Sequence, residues 1–178
     1  MFFFTLGTIR FPFDRSVSWL KTLLENKVIN DEVLLQSGAT SVRKIQHPLL
    51  TSIVSLTPHE MRESVSRADL VVTHAGEGTT LMLADMGARF VLLPRCKRYG
   101  EHCDDHQLLM AKEFSKYYGI PYCTDIQQLA HFIDHPPPPF KGKIFDGPSL
   151  ADYFVHRYGT VEAPFDSVQM TVGRSSAS

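Results

Sequence analysis

Two stretches of this 178-residue chain gather residue types that do chemistry. The first is His74-Ala75-Gly76-Glu77-Gly78-Thr79-Thr80, set between an apolar run and a helical pattern. Gly76 and Gly78 let a ligand approach the backbone closely, and Thr79 and Thr80 add hydroxyls at the first turn of the helix. Unpaired N–H groups and the positive end of a helix dipole converge there, which makes a cradle for a diphosphate. The run lacks the Gly-Lys-Ser/Thr of a Walker A loop and is not a complete GxGxxG dinucleotide fingerprint, so ATP hydrolysis and NAD binding lose ground. No Tyr-x-x-x-Lys pair follows it, which weighs against an epimerase-like enzyme. Leu6-Gly7-Thr8 and Gln36-Ser37-Gly38-Ala39-Thr40 are two further glycine turns. A lone glycine turn reads equally as an ordinary connection or C-cap, but three at successive strand ends favour anion binding.

The second stretch runs from Pro94 to Gln107. Its cations Arg95, Lys97 and Arg98 suit phosphate, while Asp104, Asp105, His106 and Gln107 at a helix start offer the mixed donors and acceptors that sugar hydroxyls require. A plainer reading is a solvated loop with Asp105 as N-cap. A metal site of His102, Cys103 and His106 is a third, disfavoured because the carboxylates and the glutamine have no place in a closed zinc site, so no metal is assigned.

The elements that must hold these stretches are legible from periodicity. Apolar runs at 2–6, 32–36, 51–56, 69–73 and 90–94 read as strands, each ending at a turn signal. Between them lie helical patterns: one capped by Asp14 with Val17, Leu20, Leu23 and Leu24 on one face, one opening at Pro58, one stopping at Gly87, and one opened by Asp105. A last short helix starts at Asp125. Strands apolar on both faces and alternating with helices imply a Rossmann-like parallel sheet covered on both sides. The expected organisation is a Rossmann-like nucleotide-binding domain over 1–134, a Pro-rich linker over 135–143, and a short helix with a flexible tail over 144–178.

Composition narrows the function class. Apolar residues make up 43%, and 18 Lys+Arg stand against 19 Asp+Glu, so there is a real core but no basic field for nucleic acid. No apolar run reaches the roughly 18 to 20 residues of a membrane span, and the N-terminus lacks a signal-peptide pattern. A soluble cytoplasmic protein is expected, with Cys96, Cys103 and Cys123 as free thiols.

The pairing of His74–Thr80 with Glu101-His102-Cys103-Asp104-Asp105-His106-Gln107 resembles the C-terminal domain of family 28 glycosyltransferases over roughly residues 2–134. That group includes the soluble catalytic subunit of the dolichol-linked N-acetylglucosaminyltransferase. Gly7-Thr8, Phe11-Pro12-Phe13-Asp14-Arg15 and Pro94 through His102 look closest to small PssE-type subunits of bacterial exopolysaccharide and capsule assembly. The resemblance implies one half of a GT-B enzyme split between two chains. This chain would bind the UDP-sugar donor, and a membrane-anchored PssD-like partner subunit would carry the site for a lipid-linked acceptor, drawing this chain to the membrane periphery. It further implies inverting hexosyl transfer with no cofactor and no metal on the diphosphate. Carried over by position, Gly7 and Thr8 face the cleft, Gly76 to Thr80 hold the diphosphate, and His106 and Gln107 contact the donor sugar.

Arg95 or Lys97 would then stabilise the leaving group, and Glu77, Glu101 and His102 are the local candidates for the base, with the partner as an alternative source. One departure matters: Met82 stands where many members place a glutamate for the ribose diol. That favours, as the alternative, a non-catalytic nucleotide-sugar-binding or regulatory subunit.

Overall fold

Phe3 and Phe4 are neighbours in sequence, both fully buried, and they pack into two different apolar clusters. Successive side chains of a strand point to opposite faces, so the sheet carrying them has a core on each side. The computed structural model describes residues 1–144. The helix and tail expected beyond, with Phe145, Leu150, Tyr153, Phe154 and Tyr158 as candidate partner contacts or core cover, lie outside the described residues.

The strands are β1 (Phe2–Thr5), β2 (Val33–Gln36), β3 (Leu50–Ile53), β4 (Leu70–Thr73) and β5 (Phe90–Leu92). The helices are α1 (Asp14–Glu25), α2 (Pro58–Arg67), α3 (Glu77–Asp85), α4 (His106–Tyr118) and α5 (Ile126–Asp134). All strand pairs are parallel, in the order β3-β2-β1-β4-β5, with Thr5 level with both Gln36 and Thr73. A bridge from Leu92 to Tyr122 extends the sheet beyond β5. On one face α1 (Leu20, Leu23, Leu24) and α5 (Leu129, Ile133) cover Phe4, Leu35 and Val72. On the other, α2, α3 and α4 bring Val65, Leu83 and Phe114 against Phe3, Val71 and Leu92. The expected Rossmann-like fold is present.

Local signals behave largely as their chemistry dictates. Pro58 opens α2 behind a capping box in which Thr57 and Glu60 satisfy each other's backbone N–H groups. Gly87 follows α3 at φ 62, and Asp125 caps α5 by accepting from the Gln128 N–H at 2.8 Å. Two caps differ from expectation. Asp14 is the first residue of α1, behind Phe13, and makes no side-chain cap. At α4 Asp105 stands at the N-cap as expected, but its carboxylate accepts from the Lys97 N–H, and it is the Asp104 carboxylate that accepts from the His106 N–H at 3.0 Å.

Two larger expectations need correction. Sheet burial is not uniform: at the β3 edge Thr51, Ser52 and Ile53 are exposed, since no strand lies beyond them. Nor does the compact unit stop at residue 134; it runs to Ile144. The prolines at 136–139 form a strap rather than a free linker. Phe140 donates its N–H to the Ala88 carbonyl at 3.0 Å and packs its ring 6.2 Å from that of Phe90, and Ile144 is buried in the α2–α3–α4 core.

Candidate functional site

In a sheet ordered 3-2-1-4-5 the connections leaving β1 and β4 run to opposite faces, and the crevice between their carboxyl ends is where α/β proteins bind ligands. β1 ends at Thr5 and β4 at Thr73, so Gly7-Thr8 and His74–Thr80 are the two lips of that crevice.

His74, buried, occupies the space between them. A Cβ on Gly7 would lie 2.6 Å from its Nε2, and one on Gly76 would overlap the same atom. Burial, reinforced by the charge of Arg95, pushes the imidazole down to about 4, so the ring is neutral near pH 7. Gly7 has φ 76, and a Cβ on Gly38 would overlap its carbonyl oxygen, so the first two glycine turns interlock. Gln36 ties them: its amide accepts from Thr5 Oγ1 and the Gly7 N–H, and donates to the carbonyls of Gly7 and Val54. Neither His74 nor Gln36 stood out as a site residue in the sequence. The signal available was a buried-strand polar residue placed directly before each glycine turn.

Gly78 differs from these glycines. It is the second residue of α3, behind Gly76 at the N-cap, and a Cβ there would meet nothing within 4 Å. Among the described residues no atom demands glycine at this point, so its lack of a side chain leaves open space over the N-terminus of α3. Glu77 and Gly78 are exposed, Thr79 is half-buried, and Ala75 holds the strained value of φ 60 just before the turn. Thr80 is turned inward: fully buried, it donates its hydroxyl to the Gly76 carbonyl at 2.9 Å and braces the loop.

The second stretch divides more sharply. Arg95 is fully buried, and its guanidinium donates to the carbonyls of Leu6, Phe11 and Glu101. Burial lowers it to about 10, still charged near pH 7, but it is sequestered from any ligand in the crevice. Glu101 is 2% exposed and accepts two hydrogen bonds from Arg15 and one from the Cys96 N–H. Buried and held by these three hydrogen bonds, it is not exposed to the crevice as a base would be. Gln107 also points inward, accepting from the Arg95 N–H at 3.3 Å, while its neighbour His106 is exposed. Adjacent helical residues do not face the same way, and of the expected sugar contacts His106 is the exposed one. Lys97 and Arg98 are exposed cations at the same rim.

His102 is half-buried beside Phe11, ring centroids 6.0 Å apart, and pairs with Asp104 at 2.9 Å. Among the described residues Asp104 rather than His106 joins His102 and Cys103, with ligand atoms of the three within 4.8 Å of one another. Met82 packs against the apolar cluster of α3 and α4, with no polar group to offer a ribose. Open pockets lie elsewhere, of about 370 Å³ against the proline strap and about 400 Å³ beside α1 at Lys21 and Lys44.

A match to the glycosyltransferase family 28 C-terminal domain spans residues 1–136, more than half of the chain. The chain belongs to this family. It is 30% identical over 98 residues to the human UDP-N-acetylglucosamine transferase subunit ALG13, a match covering 53% of this chain and 8% of that protein. Solved structures with the same fold include Acinetobacter baumannii MurG, at TM-score 0.53 and 20% identity over 74% of this chain and 40% of that one. The glycosyltransferase SnogD from Streptomyces nogalater matches at TM-score 0.52 and 15% identity, over 75% of this chain and 35% of that one. The chain therefore spans less than half of the structures it matches and a small part of the human relative. Among the described residues no helix is long and apolar enough to cross a membrane.

Proposed function

We propose that this chain is the UDP-sugar-binding catalytic subunit of a split inverting glycosyltransferase, passing a hexosyl residue to a lipid-linked acceptor in exopolysaccharide, capsule or glycolipid assembly. The observation that carries the reading is Gly78, a glycine that nothing among the described residues requires, standing at the N-terminus of α3 over open space at the switch point of the sheet. The donor diphosphate lies there, held by the first N–H groups of α3 with Gly7, Thr8 and Thr79 around it. Lys97 and Arg98, rather than the buried Arg95, supply mobile positive charge to the departing UDP, and His106 meets the sugar. With Glu101 held by Arg15, the candidates for base within the chain reduce to Glu77 and His102.

That reduction supports a membrane-anchored PssD-like partner that brings the acceptor and completes the chemistry. It also lends weight to a second reading, a nucleotide-sugar-binding or regulatory subunit whose partner performs catalysis outright. Titration calorimetry with UDP, UDP-glucose, UDP-glucuronate and UDP-N-acetylglucosamine tests the first step. Binding of one UDP-sugar in preference to the rest is expected, and silence toward all of them, with and without the partner, would overturn the reading. Transfer by the co-expressed pair that survives replacement of Glu77 and His102 by Gln would favour the second reading.

A further inference from the structure

Among residues 97–106, the rim of the crevice that leads into α4, Glu101 alone is buried; the others are exposed or, at His102, half-buried. A loop of such composition has almost no apolar surface with which to fix its own shape. Its tie to α1 is a charged group in an aromatic setting. Arg15, from the first turn of α1, donates to both carboxylate oxygens of Glu101, at 2.9 and 2.8 Å, and to the Pro94 carbonyl at 2.8 Å. Its guanidinium carbon lies 4.7, 4.9 and 5.2 Å from the ring centroids of Trp19, Tyr99 and Phe13. The Glu101 carboxylate also takes the Cys96 N–H, and its backbone carbonyl takes Arg95, which reaches on to Leu6 and Phe11 in the β1 loop.

A buried ion pair is a poor device for stability, because desolvation cancels most of the attraction and an apolar pair of similar size does as well. Its advantage is geometric: a planar fork on a carboxylate fixes both distance and angle. We propose that Arg15 and Glu101 form a positioning clamp that holds the 97–106 rim, and through it His106, at the sugar end of the crevice. Glu101 then acts through the loop it anchors, and Arg15 sets the position of a loop on the far side of the sheet's switch point. The clamp rests on the UDP-sugar reading for its ligand, while the ordering of the loop is independent of it.

The test uses the full chain carrying Glu101→Gln, Arg15→Lys or Arg15→Met. Two readouts are taken on each: amide hydrogen exchange of the free protein, and calorimetric titration with UDP and with whichever UDP-sugar the wild type binds. Glu101→Gln keeps the shape of the side chain while removing the charge that pairs with Arg15, and Arg15→Lys keeps charge without the fork. Exchange should rise about tenfold or more across 97–107 and stay unchanged at 70–80, the local signature of a released segment. Affinity for UDP should stay within about twofold, while affinity for the UDP-sugar falls roughly 10- to 100-fold, as expected when a contacting group drifts by an ångström. Arg15→Lys should fall between wild type and Arg15→Met. Unchanged exchange at 97–107, or equal loss of UDP and UDP-sugar affinity, would overturn the clamp. If the wild type binds neither ligand, the UDP-sugar reading fails and the exchange data alone decide the clamp.

Discussion

Gly76 and Gly78 look interchangeable in the sequence and are not. At Gly76 (φ −74) the backbone would accept any residue; glycine is needed because the His74 ring occupies the Cβ position. At Gly78 the protein leaves the position empty, so a larger side chain can enter without disturbing the fold. Gly78→Val should therefore keep the melting behaviour of the wild type, within the roughly 1 kcal/mol by which helix propensities differ. It should also lose UDP affinity by at least about tenfold, or 1.4 kcal/mol. Undiminished UDP binding would remove the cradle from the site. His74 supplies a separate test through pH. Its folded value of about 4 lies below the ordinary 6.5, so the unfolded chain takes up the proton first as pH falls. Its contribution is complete above about pH 6.5 and is lost progressively down to about pH 4, amounting to on the order of 3 kcal/mol. Urea titrations at pH 7 and pH 5 should show that slope in the wild type and lose it in His74→Gln. The hydrogen-bonded carboxylates Glu60 and Asp104, themselves held low, would give theirs up only at more acidic pH. An equal slope in both proteins would mean that the imidazole is not what is titrating.

The helices and strands were legible because each carries its own signal: a period of two or 3.6, a capping residue, a glycine stop. Thr57 and Glu60 around Pro58, or Asp125 before α5, announce their roles locally. What the sequence conceals is any role set by a residue far along the chain. Arg95, Glu101 and Gln107 have the composition of a ligand site, yet Arg95 and Glu101 face inward because Leu6, Phe11 and Arg15, brought over by the β1 connection, offer them partners, and Gln107 faces inward to accept from the Arg95 N–H. The strap was hidden for the same reason, since four prolines read as an extended linker until Ala88 and Phe90 appear beneath them. If the strap is part of the domain, Phe140→Ala should lower the unfolding free energy by about 1 to 2 kcal/mol, below the cost of emptying a fully enclosed aromatic site. Ending the chain at Asp134 should cost more, since it also removes Ile144 from its core. Coincident urea midpoints for all three proteins would return the segment to the status of a linker.

The arrangement of the molecule bears on the proposed split between two chains. The diphosphate cradle, the 97–106 rim and the β1 loop all sit on one edge of the sheet, and the residues that line them are largely exposed. Ligand sites ordinarily bury most of the ligand's surface between walls, and the walls here form only one side. A donor lying on so open a surface keeps much of its hydration and exchanges readily, so the chain alone should hold a UDP-sugar weakly. A second Rossmann-like body closing over the crevice would strengthen binding and exclude water from the transfer. The expected result is a melting temperature that rises with UDP-sugar concentration in the isolated chain only at high ligand, reaching the equivalent of about 2.7 kcal/mol at a hundredfold excess over Kd. Adding the membrane partner should move that rise to lower concentrations and bring hexosyl transfer to a lipid-linked acceptor with it. Transfer by the isolated chain at the rate of the pair would show that the open edge is already a complete active site, and would refute the split.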